Sequence, residues 1–212
     1  MGKGHLSLLH RIGLLGGSFD PPHRAHEILA REAVEQLKLD RLYIVPTGQA
    51  WHKSRALSNA VHRLAMARLA FETCPQTVVD EMEILRAGPS FTLQTLSELQ
   101  ARHPDAVFYL LVGQDQAASF SQWHEWQRIL QIAQLVVAAR PMMSSETAAA
   151  HEWHNLLSER VIQMHMPLMG ISSSELRASY ACGHPDSDLV SPLVADYIQQ
   201  NQLYLEPHDR SR

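Results

Sequence analysis

The segment GGSFDPPHRAH brings glycine, serine and histidine residues close enough in sequence to form one anion-binding site. Gly16 and Gly17 let the backbone approach a phosphate closely, and Ser18 adds a hydroxyl. His23 and His26 are three residues apart, so at a helix start they share a face and can donate hydrogen bonds to charge that develops during phosphate transfer. A capped turn with two exposed histidines is an alternative interpretation. A zinc pair is another, although His-x-x-His lacks the glutamate and the i,i+4 spacing of a metalloprotease helix.

A second segment, GISSSELR, lies near the other end of the chain. Ser172 and Glu175 fit the S-x-x-E capping box that starts a helix. The N–H groups at such a helix start bind anions, and Ser173 and Ser174 add hydroxyl donors. Arg177, predicted in the first turn of this helix, can reach phosphate oxygens with two parallel hydrogen bonds. A well-capped helix without a ligand explains the same residues, so this segment alone leaves both interpretations open.

Apolar runs with strand character alternate with helical stretches along the chain. This alternation predicts an α/β fold, with a Rossmann-like doubly wound parallel sheet and helices on both faces. The predicted strands are 11–17, 41–46, 77–85 (a strand or a strand with an extension), 106–113, 134–141 and 160–166. The predicted helices are 25–39, 59–72, 92–103, 121–133, 144–159, 172–181 and 191–202.

A polar or glycine-bearing segment follows each predicted strand. In chain order these segments are GGSFDPPHRAH, PTGQAWHK, RAGPSFT, GQD, RP and GISSSELR. Ligands of open parallel sheets bind at the carboxyl ends of the strands, where all six segments would meet. The sequence therefore predicts one binding site at that edge of the sheet.

Composition narrows the class of protein. The 212 residues are 45% hydrophobic, enough for one substantial core, and we expect a single domain over residues 1–212. A formal net charge of −4 argues against a nucleic-acid or anionic-membrane binder that depends on bulk charge. We expect no signal peptide from the start of the sequence. There is also no apolar run long enough to span a membrane and no CxxC pair, and together these features favour a cytoplasmic location.

The two ends of the chain carry a pair of motifs known from one enzyme superfamily. GGSFDPPHRAH resembles the GGT/SFDPxHxGH opening of the HxGH nucleotidyltransferases, and ISSSELR resembles their ISSTxIR motif. Between them, QAWHK, HRLAM, GPSFTLQTL, LLVGQD, WHEW and VVAARP are similar in order and spacing to bacterial nicotinate-nucleotide adenylyltransferases, as is the ending YIQQNQLY. Ala25 departs from the family glycine, Ser174 from its threonine, and Ala50 and Trp51 from a frequent proline pair.

The resemblance implies adenylyl transfer from ATP to nicotinate mononucleotide, which gives nicotinate adenine dinucleotide and pyrophosphate. It assigns catalysis to His23, His26 and Arg177, with both histidines on the triphosphate and Arg177 on its β- and γ-phosphates. The residues that it places around ATP are Gly16, Gly17, Ser18, Phe19, Gly113, Asp115, Ile171, Ser172 and Ser173.

For the second substrate, the resemblance suggests Lys53, Phe91, Thr92, Trp123 and Arg140. Lys53 and Arg140 suit the mononucleotide phosphate, and Trp123 could stack on the pyridine ring, although tryptophans at i,i+3 are usually core. Mg²⁺ is the implied cofactor, held by substrate oxygens and water rather than by protein ligands. Two alternatives remain at this point, namely another acceptor such as nicotinamide mononucleotide and a nucleotide-binding regulator that has lost catalysis. The oligomeric state is not predicted.

Overall fold

Six parallel strands form the centre of the molecule. The computed structural model describes residues 10–49, 57–139, 161–167 and 170–205. Within them the strand order is β3-β2-β1-β4-β5-β6, and every neighbouring pair is parallel. The strands are β1 (Arg11–Gly17), β2 (Arg41–Pro46), β3 (Thr77–Val79), β4 (Val107–Gly113), β5 (Ala133–Ala139) and β6 (Val161–His165). The prediction of a Rossmann-like, doubly wound α/β fold is confirmed.

Helices cover both faces of this sheet. The helices of the described residues are α1 (Arg24–Leu37), α2 (Ala60–Phe71), α3 (Met82–Leu85), α4 (Thr92–Arg102), α5 (Gln114–Ala118), α6 (Trp126–Ile132), α7 (Ser173–Ala181) and α8 (Pro192–Gln200). Short 3₁₀ turns lie at Phe120–Gln122 and Ser187–Leu189. Among the described residues no helix is both long and apolar enough to cross a membrane.

The alternation of side chains along each strand divides the core into two layers. Leu15, on one face of β1, packs with residues of α1, α2, α7 and α8. Leu14, on the opposite face, packs with residues of α3, α4 and α6. Successive strand residues point to opposite faces, so a nearly continuous apolar strand supplies both layers.

Two predicted elements differ in the structure. The predicted strand 77–85 ends at Val79, and α3 begins at Met82, whose N–H donates to the Asp80 carboxylate at 2.9 Å. The predicted helix 121–133 begins only at Trp126, because Glu125 adopts a left-handed conformation with φ +51°. Glu125 therefore separates the preceding 3₁₀ turn from α6. The predicted helix 144–159 lies outside the described residues.

The strand order reverses between β1 and β4, at the centre of the carboxyl edge of the sheet. Gly17 at the end of β1 is in register with Pro46 of β2, and Gly113 at the end of β4 is in register with Ala138 of β5. β1 and β4 are neighbours, while their following connections lead to opposite sides of the sheet order. A crevice at such a switch point is the usual ligand site of this architecture.

Candidate active site

A cavity of about 400 Å³ opens at the ends of β1 and β4. Gly16, Gly17 and Ser18 line it from β1 and the turn that follows, and Phe91, Thr92 and Trp123 line it from the side of α4 and α6. The remaining lining residues are Leu14, Thr47, Glu83, Ser90, Leu110, Leu111, Val112, Gln116, Ser119, Gln122, His124 and Ile129. The structure thus brings predicted residues of both substrate groups to one cavity.

Two buried charged residues, Asp20 and Arg63, hold the turn after β1 in place. Asp20 is fully buried, and its carboxylate accepts hydrogen bonds from the Ser58 N–H at 3.1 Å and the Tyr204 hydroxyl at 2.8 Å. Arg63, also buried, donates to the carbonyl oxygens of Ser18, at 3.0 Å, and Ser58, at 2.9 Å. Burial lowers the pKa of Arg63, and the nearby charge of Asp20 raises it. Because buried charges need partners, this network fixes the backbone of the turn.

Phe19 and Gly17 pack closely within this turn. Phe19 is buried, with its ring 5.2 Å from that of His26 and φ of +46°. A Cβ built on Gly17 would lie 3.1 Å from the Phe19 ring, tighter than ordinary van der Waals contact. Glycine at position 17 therefore lets the turn fold back over the aromatic ring, which anchors the start of α1.

The two histidines lie side by side at the start of α1. Their rings are stacked, with centroids 3.8 Å apart, and the His23 N–H donates to His26 Nδ1 at 3.2 Å. Burial lowers the pKa of His23 to about 4, so its imidazole is neutral at neutral pH. His23 Nδ1 is buried, with no hydrogen-bond partner among the described residues, while His26 is half-buried. A neutral imidazole such as that of His23 can still donate one hydrogen bond to an anion at a helix N-terminus.

The start of α7 packs against the same turn. The Arg177 guanidinium donates to the Asp20 carbonyl oxygen at 2.7 Å, and the Ser173 hydroxyl donates to the Pro21 carbonyl oxygen at 2.9 Å. These contacts join the two motifs across 152 and 157 residues of sequence. Ser172 caps the helix by accepting from the Glu175 N–H at 3.2 Å, which confirms the predicted helix start.

Arg177 lies in the second turn of α7 rather than in the first. It is half-buried, and it also donates to the Ser174 hydroxyl at 2.9 Å. Its two contacts orient the guanidinium at the junction of the helix and the turn after β1. Ile171, just before the helix, packs on the core layer that α1 and α7 share.

The opposite wall of the cavity is aromatic. Phe91 is the N-cap residue of α4, which begins at Thr92 as predicted. The Phe91 ring lies 4.5 Å from that of His124, and the Trp123 ring lies 5.3 Å from that of Phe120. Trp123 therefore lines the cavity and also packs on the core.

The remaining predicted residues are more scattered. Gly113 is the N-cap of the short helix α5, and Asp115 is exposed in its first turn. Both lie at the carboxyl end of β4, next to the cavity-lining Gln116. Lys53 and Arg140 fall outside the described residues.

Several residues of this edge were not predicted from the sequence. Asp20, Arg63 and Tyr204 lie inside the quoted stretches SFDPP, HRLAM and QNQLY, but no pattern in these stretches indicates that they meet. Glu83 lies inside a stretch predicted as strand. His124 lies between Trp123 and Trp126, whose helical spacing gives no indication of a role for His124.

The arrangement suits a polyanion bound at the turn after β1, beside the aromatic wall of the cavity. Backbone N–H groups, serine hydroxyls, the two imidazoles and the Arg177 guanidinium lie around the turn after β1, and such donors match phosphate oxygens. Among the described residues, no three His, Cys, Asp or Glu side chains converge to hold a metal ion.

Comparison with known proteins identifies the relatives of this chain. Residues 14–179 match the family model described as cytidylyltransferase-like. A probable nicotinate-nucleotide adenylyltransferase of Albidiferax ferrireducens is 45% identical over 196 residues, 92% of this chain and 98% of that protein. A probable nicotinate-nucleotide adenylyltransferase of Methylibium petroleiphilum is 42% identical over 205 residues, 93% of each chain.

Solved structures show the same fold. The nicotinic acid mononucleotide adenylyltransferase of Plasmodium falciparum, complexed with NaAD, superposes with a TM-score of 0.76 at 20% identity. The alignment covers 92% of this chain and 97% of that chain. A putative nicotinate-nucleotide adenylyltransferase from Vibrio parahaemolyticus superposes with a TM-score of 0.65 at 17% identity, over 94% and 98% of the two chains.

Proposed function

This chain belongs to the nicotinate-nucleotide adenylyltransferases of the cytidylyltransferase-like family, and we propose that it transfers the adenylyl group of ATP to nicotinate mononucleotide. The products are nicotinate adenine dinucleotide and pyrophosphate, so the enzyme is a nucleotidyltransferase of NAD biosynthesis. The assignment of nicotinate mononucleotide as the acceptor rests on the names of the relatives. The carboxyl edge of the sheet supplies the groups that the reaction needs.

One observation carries the assignment of the site. Two motifs at opposite ends of the chain meet where Arg177 and Ser173 donate to the backbone of Asp20 and Pro21. This junction lies beside the cavity that Gly17 and Thr92 line from opposite sides. A triphosphate at the junction and a mononucleotide in the cavity would place their reacting phosphates next to each other.

The reaction follows from that placement. An oxygen of the mononucleotide 5′-phosphate attacks the α-phosphorus of ATP in line. A new P–O bond forms while the bond from the α-phosphorus to the β-bridging oxygen breaks, and pyrophosphate leaves with that oxygen. No covalent enzyme intermediate is needed, so catalysis is positioning together with stabilisation of the developing charge.

On the ATP side, we assign His23 and His26 to the triphosphate, with His26 at the α-phosphate. Arg177 and the N-terminus of α7, with Ser172 and Ser173, would hold the β- and γ-phosphates. Supporting this, the histidines lie at the start of α1, and Phe19, whose ring contacts His26, connects that helix to the turn that Arg177 contacts. The other ATP contacts are assigned to Gly16, Gly17, Ser18, Gly113, Asp115 and Ile171.

On the acceptor side, we assign Phe91, Thr92 and Trp123 to the pyridine ring and its carboxylate. Their place in the cavity wall supports this. The N-terminus of α4 attracts an anion, and an aromatic wall suits a planar ring. Lys53 and Arg140 are assigned to the mononucleotide phosphate on the family resemblance alone.

Mg²⁺ is the proposed cofactor. The Asp20 carboxylate of the turn is buried and already accepts from Ser58 and Tyr204, and the imidazole, guanidinium and backbone N–H donors complement phosphate oxygens. The ion would therefore be carried by triphosphate oxygens and water, where it would neutralise charge on the leaving pyrophosphate.

The setting of the enzyme completes the proposal. We assign residues 1–212 to one nucleotidyltransferase domain, which the single sheet of the described residues supports. A cytoplasmic location suits the free thiols of Cys74 and Cys182. The partners proposed are the two substrates, with neither nucleic acid nor membrane.

Pyrophosphate release from ATP and Mg²⁺ tests the function directly. The acceptors to compare are nicotinate mononucleotide, nicotinamide mononucleotide and phosphopantetheine. We expect rapid release with nicotinate mononucleotide and identification of the dinucleotide product by mass. Release only with another acceptor would reassign the substrate, and no release with any acceptor would indicate a nucleotide-binding regulator.

A further inference from the structure

Glu83 is a buried acidic residue in the wall of the cavity, and neither the family motifs nor the reaction above uses it. It belongs to the short helix α3, and only 7% of its surface is exposed. A carboxylate is costly to bury unless other groups hold it in place. The hydrogen-bond partners of Glu83 therefore show which segments its carboxyl group holds together.

A hydrogen-bonded chain reaches Glu83 from α4. The Thr95 hydroxyl donates to Glu83 Oε1 at 2.7 Å, and the Arg86 guanidinium donates to the Thr95 oxygen at 3.3 Å. Arg86 also pairs with Glu98, at 2.9 Å, on the exposed side of α4. Thr95 lies one turn after Thr92, so Glu83 fixes the helix whose first residues line the cavity.

The loop after β2 lies directly against Glu83. A Cβ on Gly48 would overlap the Glu83 carbonyl oxygen, so only glycine lets the loop approach this closely. The Gly48 N–H donates to the Ser90 hydroxyl oxygen at 3.2 Å, and the Ser90 N–H donates to the Gln49 carbonyl oxygen at 3.2 Å. A parallel bridge joins Gln49 to Pro89. The loop after β2 and the segment before α4 are thus tied together beside the Glu83 side chain.

The burial of Glu83 and its hydrogen-bond partners have opposite effects on the ionisation of its carboxyl group. Burial raises the pKa of Glu83, while the Thr95 hydroxyl, the Ser90 hydroxyl, the charge of Arg86 and the Gly48 N–H favour its ionised form. These groups come from the loop after β2, from α4 and from the segments that flank α3. One carboxyl group therefore connects the loop after β2, α4 and the segments that flank α3.

We propose that Glu83 is the positioning residue of the acceptor side, where it holds Phe91 and Thr92 at the geometry that binds the pyridine mononucleotide. It acts through Thr95 and Ser90, which flank those two residues in sequence, and need not touch the substrate. This inference rests on the proposed function, because it assigns the cavity to the acceptor. The turn around Ser18 is held directly by Arg63 and Asp20. Glu83 reaches this turn indirectly, through Arg63, which also donates to the Gly48 carbonyl oxygen at 3.4 Å, so ATP binding should depend less on Glu83.

The test is Glu83→Gln, which keeps size and shape but replaces one acceptor oxygen with an NH₂ group. That NH₂ group would face donors from Ser90 and Gly48. We expect KM for nicotinate mononucleotide to rise about tenfold, with KM for ATP within about twofold of wild type. The matched control is Glu81→Gln, which removes a carboxylate from a surface ion pair with Arg68, outside the cavity and outside this hydrogen-bonded chain, and should leave both KM values unchanged.

A second variant and a second readout keep the inference testable if Glu83→Gln folds poorly. Thr95→Val removes the hydroxyl donor while leaving Glu83 in place, and it should raise the same KM in the same direction. Amide hydrogen exchange should be faster at Gly48 and Ser90 in either variant than in Glu81→Gln, with exchange in β1 and β4 unchanged.

The outcomes separate the two proposals. If the wild type uses nicotinate mononucleotide but both variants keep its KM, the positioning role is wrong and the function stands. Equal rises in both KM values, or a lower melting temperature alone, would reduce Glu83 to a structural residue. If the wild type does not use this acceptor, the proposed function fails, and unchanged exchange at Gly48 and Ser90 would overturn the positioning role as well.

Discussion

The Tyr204 hydroxyl donates a hydrogen bond of 2.8 Å to the carboxylate of Asp20, across 184 residues of sequence. Tyr204 follows the last described helix, and Asp20 lies in the turn after the first strand. Burial and the charge of Asp20 raise the pKa of Tyr204 well above its usual range, so the phenol stays protonated as a donor. The end of the described chain thus supports the turn proposed to bind phosphate.

Tyr204→Phe removes that donor and little else. A buried carboxylate that loses one partner is destabilised, so we expect the free energy of unfolding to fall by about 1–3 kcal/mol. Urea denaturation measures this, with Tyr197→Phe as the control, since the Tyr197 hydroxyl pairs with His62 at 3.0 Å away from the turn. Equal losses of unfolding free energy in the two variants would mean that the contact with Asp20 contributes no more than the contact between Tyr197 and His62.

His26→Ala tests the histidine pair. We expect turnover to fall by roughly 10²–10⁴-fold, the scale of losing a donor to developing charge. Folding should change little because His26 is half-buried and α1 keeps its other contacts. The control is His62→Ala, a half-buried histidine on α2 that should retain wild-type turnover. A normal kcat in His26→Ala, or a lower melting temperature with no loss of turnover, would contradict the role.

Arg177→Lys keeps the charge but loses the planar guanidinium. A lysine cannot donate to the Asp20 carbonyl and the Ser174 hydroxyl while also gripping a phosphate with two parallel bonds. We expect KM for ATP to rise about tenfold with little change for the mononucleotide. Arg68→Lys, at a surface pair with Glu81, is the control. A defect confined to the mononucleotide would move Arg177 to the acceptor side.

The sheet and its functional edge could be predicted from sequence because they depend on local periodicity. Strand and helix periods alternate regularly, and parallel topology then brings the segments after the strands to one edge. The start of α4 at Thr92 and the cap at Ser172 were predictable for the same reason, since both are read from neighbouring residues.

Contacts between distant segments could not be predicted. Nothing near Asp20 or Tyr204 indicates that they pair, and Glu83 lies in VVDEMEIL, whose apolar spacing suits a strand. The Asp80 side chain, which accepts from the Met82 N–H, starts a helix there instead. The spacing of Trp123 and Trp126 likewise fits one helix, yet the left-handed Glu125 lies between them.

Acid should destabilise the protein through His23. Its pKa is about 4 in the folded state, against an ordinary value of 6.5, so in this window the unfolded chain binds a proton that the folded chain does not. The free energy of unfolding should therefore fall as pH drops through this window, by up to about 3 kcal/mol from this residue. Urea denaturation of the wild type and His23→Gln at several pH values isolates the contribution of His23 to the pH dependence of stability. Parallel pH profiles for the two proteins would show that His23 titrates normally.

The last prediction is a preference for the acid over the amide acceptor. Nicotinate mononucleotide carries a carboxylate, which only accepts hydrogen bonds, where nicotinamide mononucleotide carries an amide with an NH₂ donor. The N–H groups at the start of α4 and the Thr92 hydroxyl favour an anion in the cavity. An NH₂ group turned toward those donors would lack an acceptor, and each buried unpaired group costs about 1–3 kcal/mol. Two mismatched contacts and the lost charge interaction give an expected preference of roughly 10²–10⁴ in kcat/KM.

Measuring kcat/KM for both mononucleotides at saturating ATP checks this preference. Thr92→Val should narrow it, because valine keeps the shape of threonine but removes the hydroxyl that would donate to the carboxylate. Thr47→Val is the control, since it removes another hydroxyl from the cavity wall, on the side of β2. Equal kcat/KM values for the acid and the amide would leave adenylyl transfer intact but remove the start of α4 as the source of selectivity. A preference that narrows equally in both variants would point to the general polarity of the cavity instead.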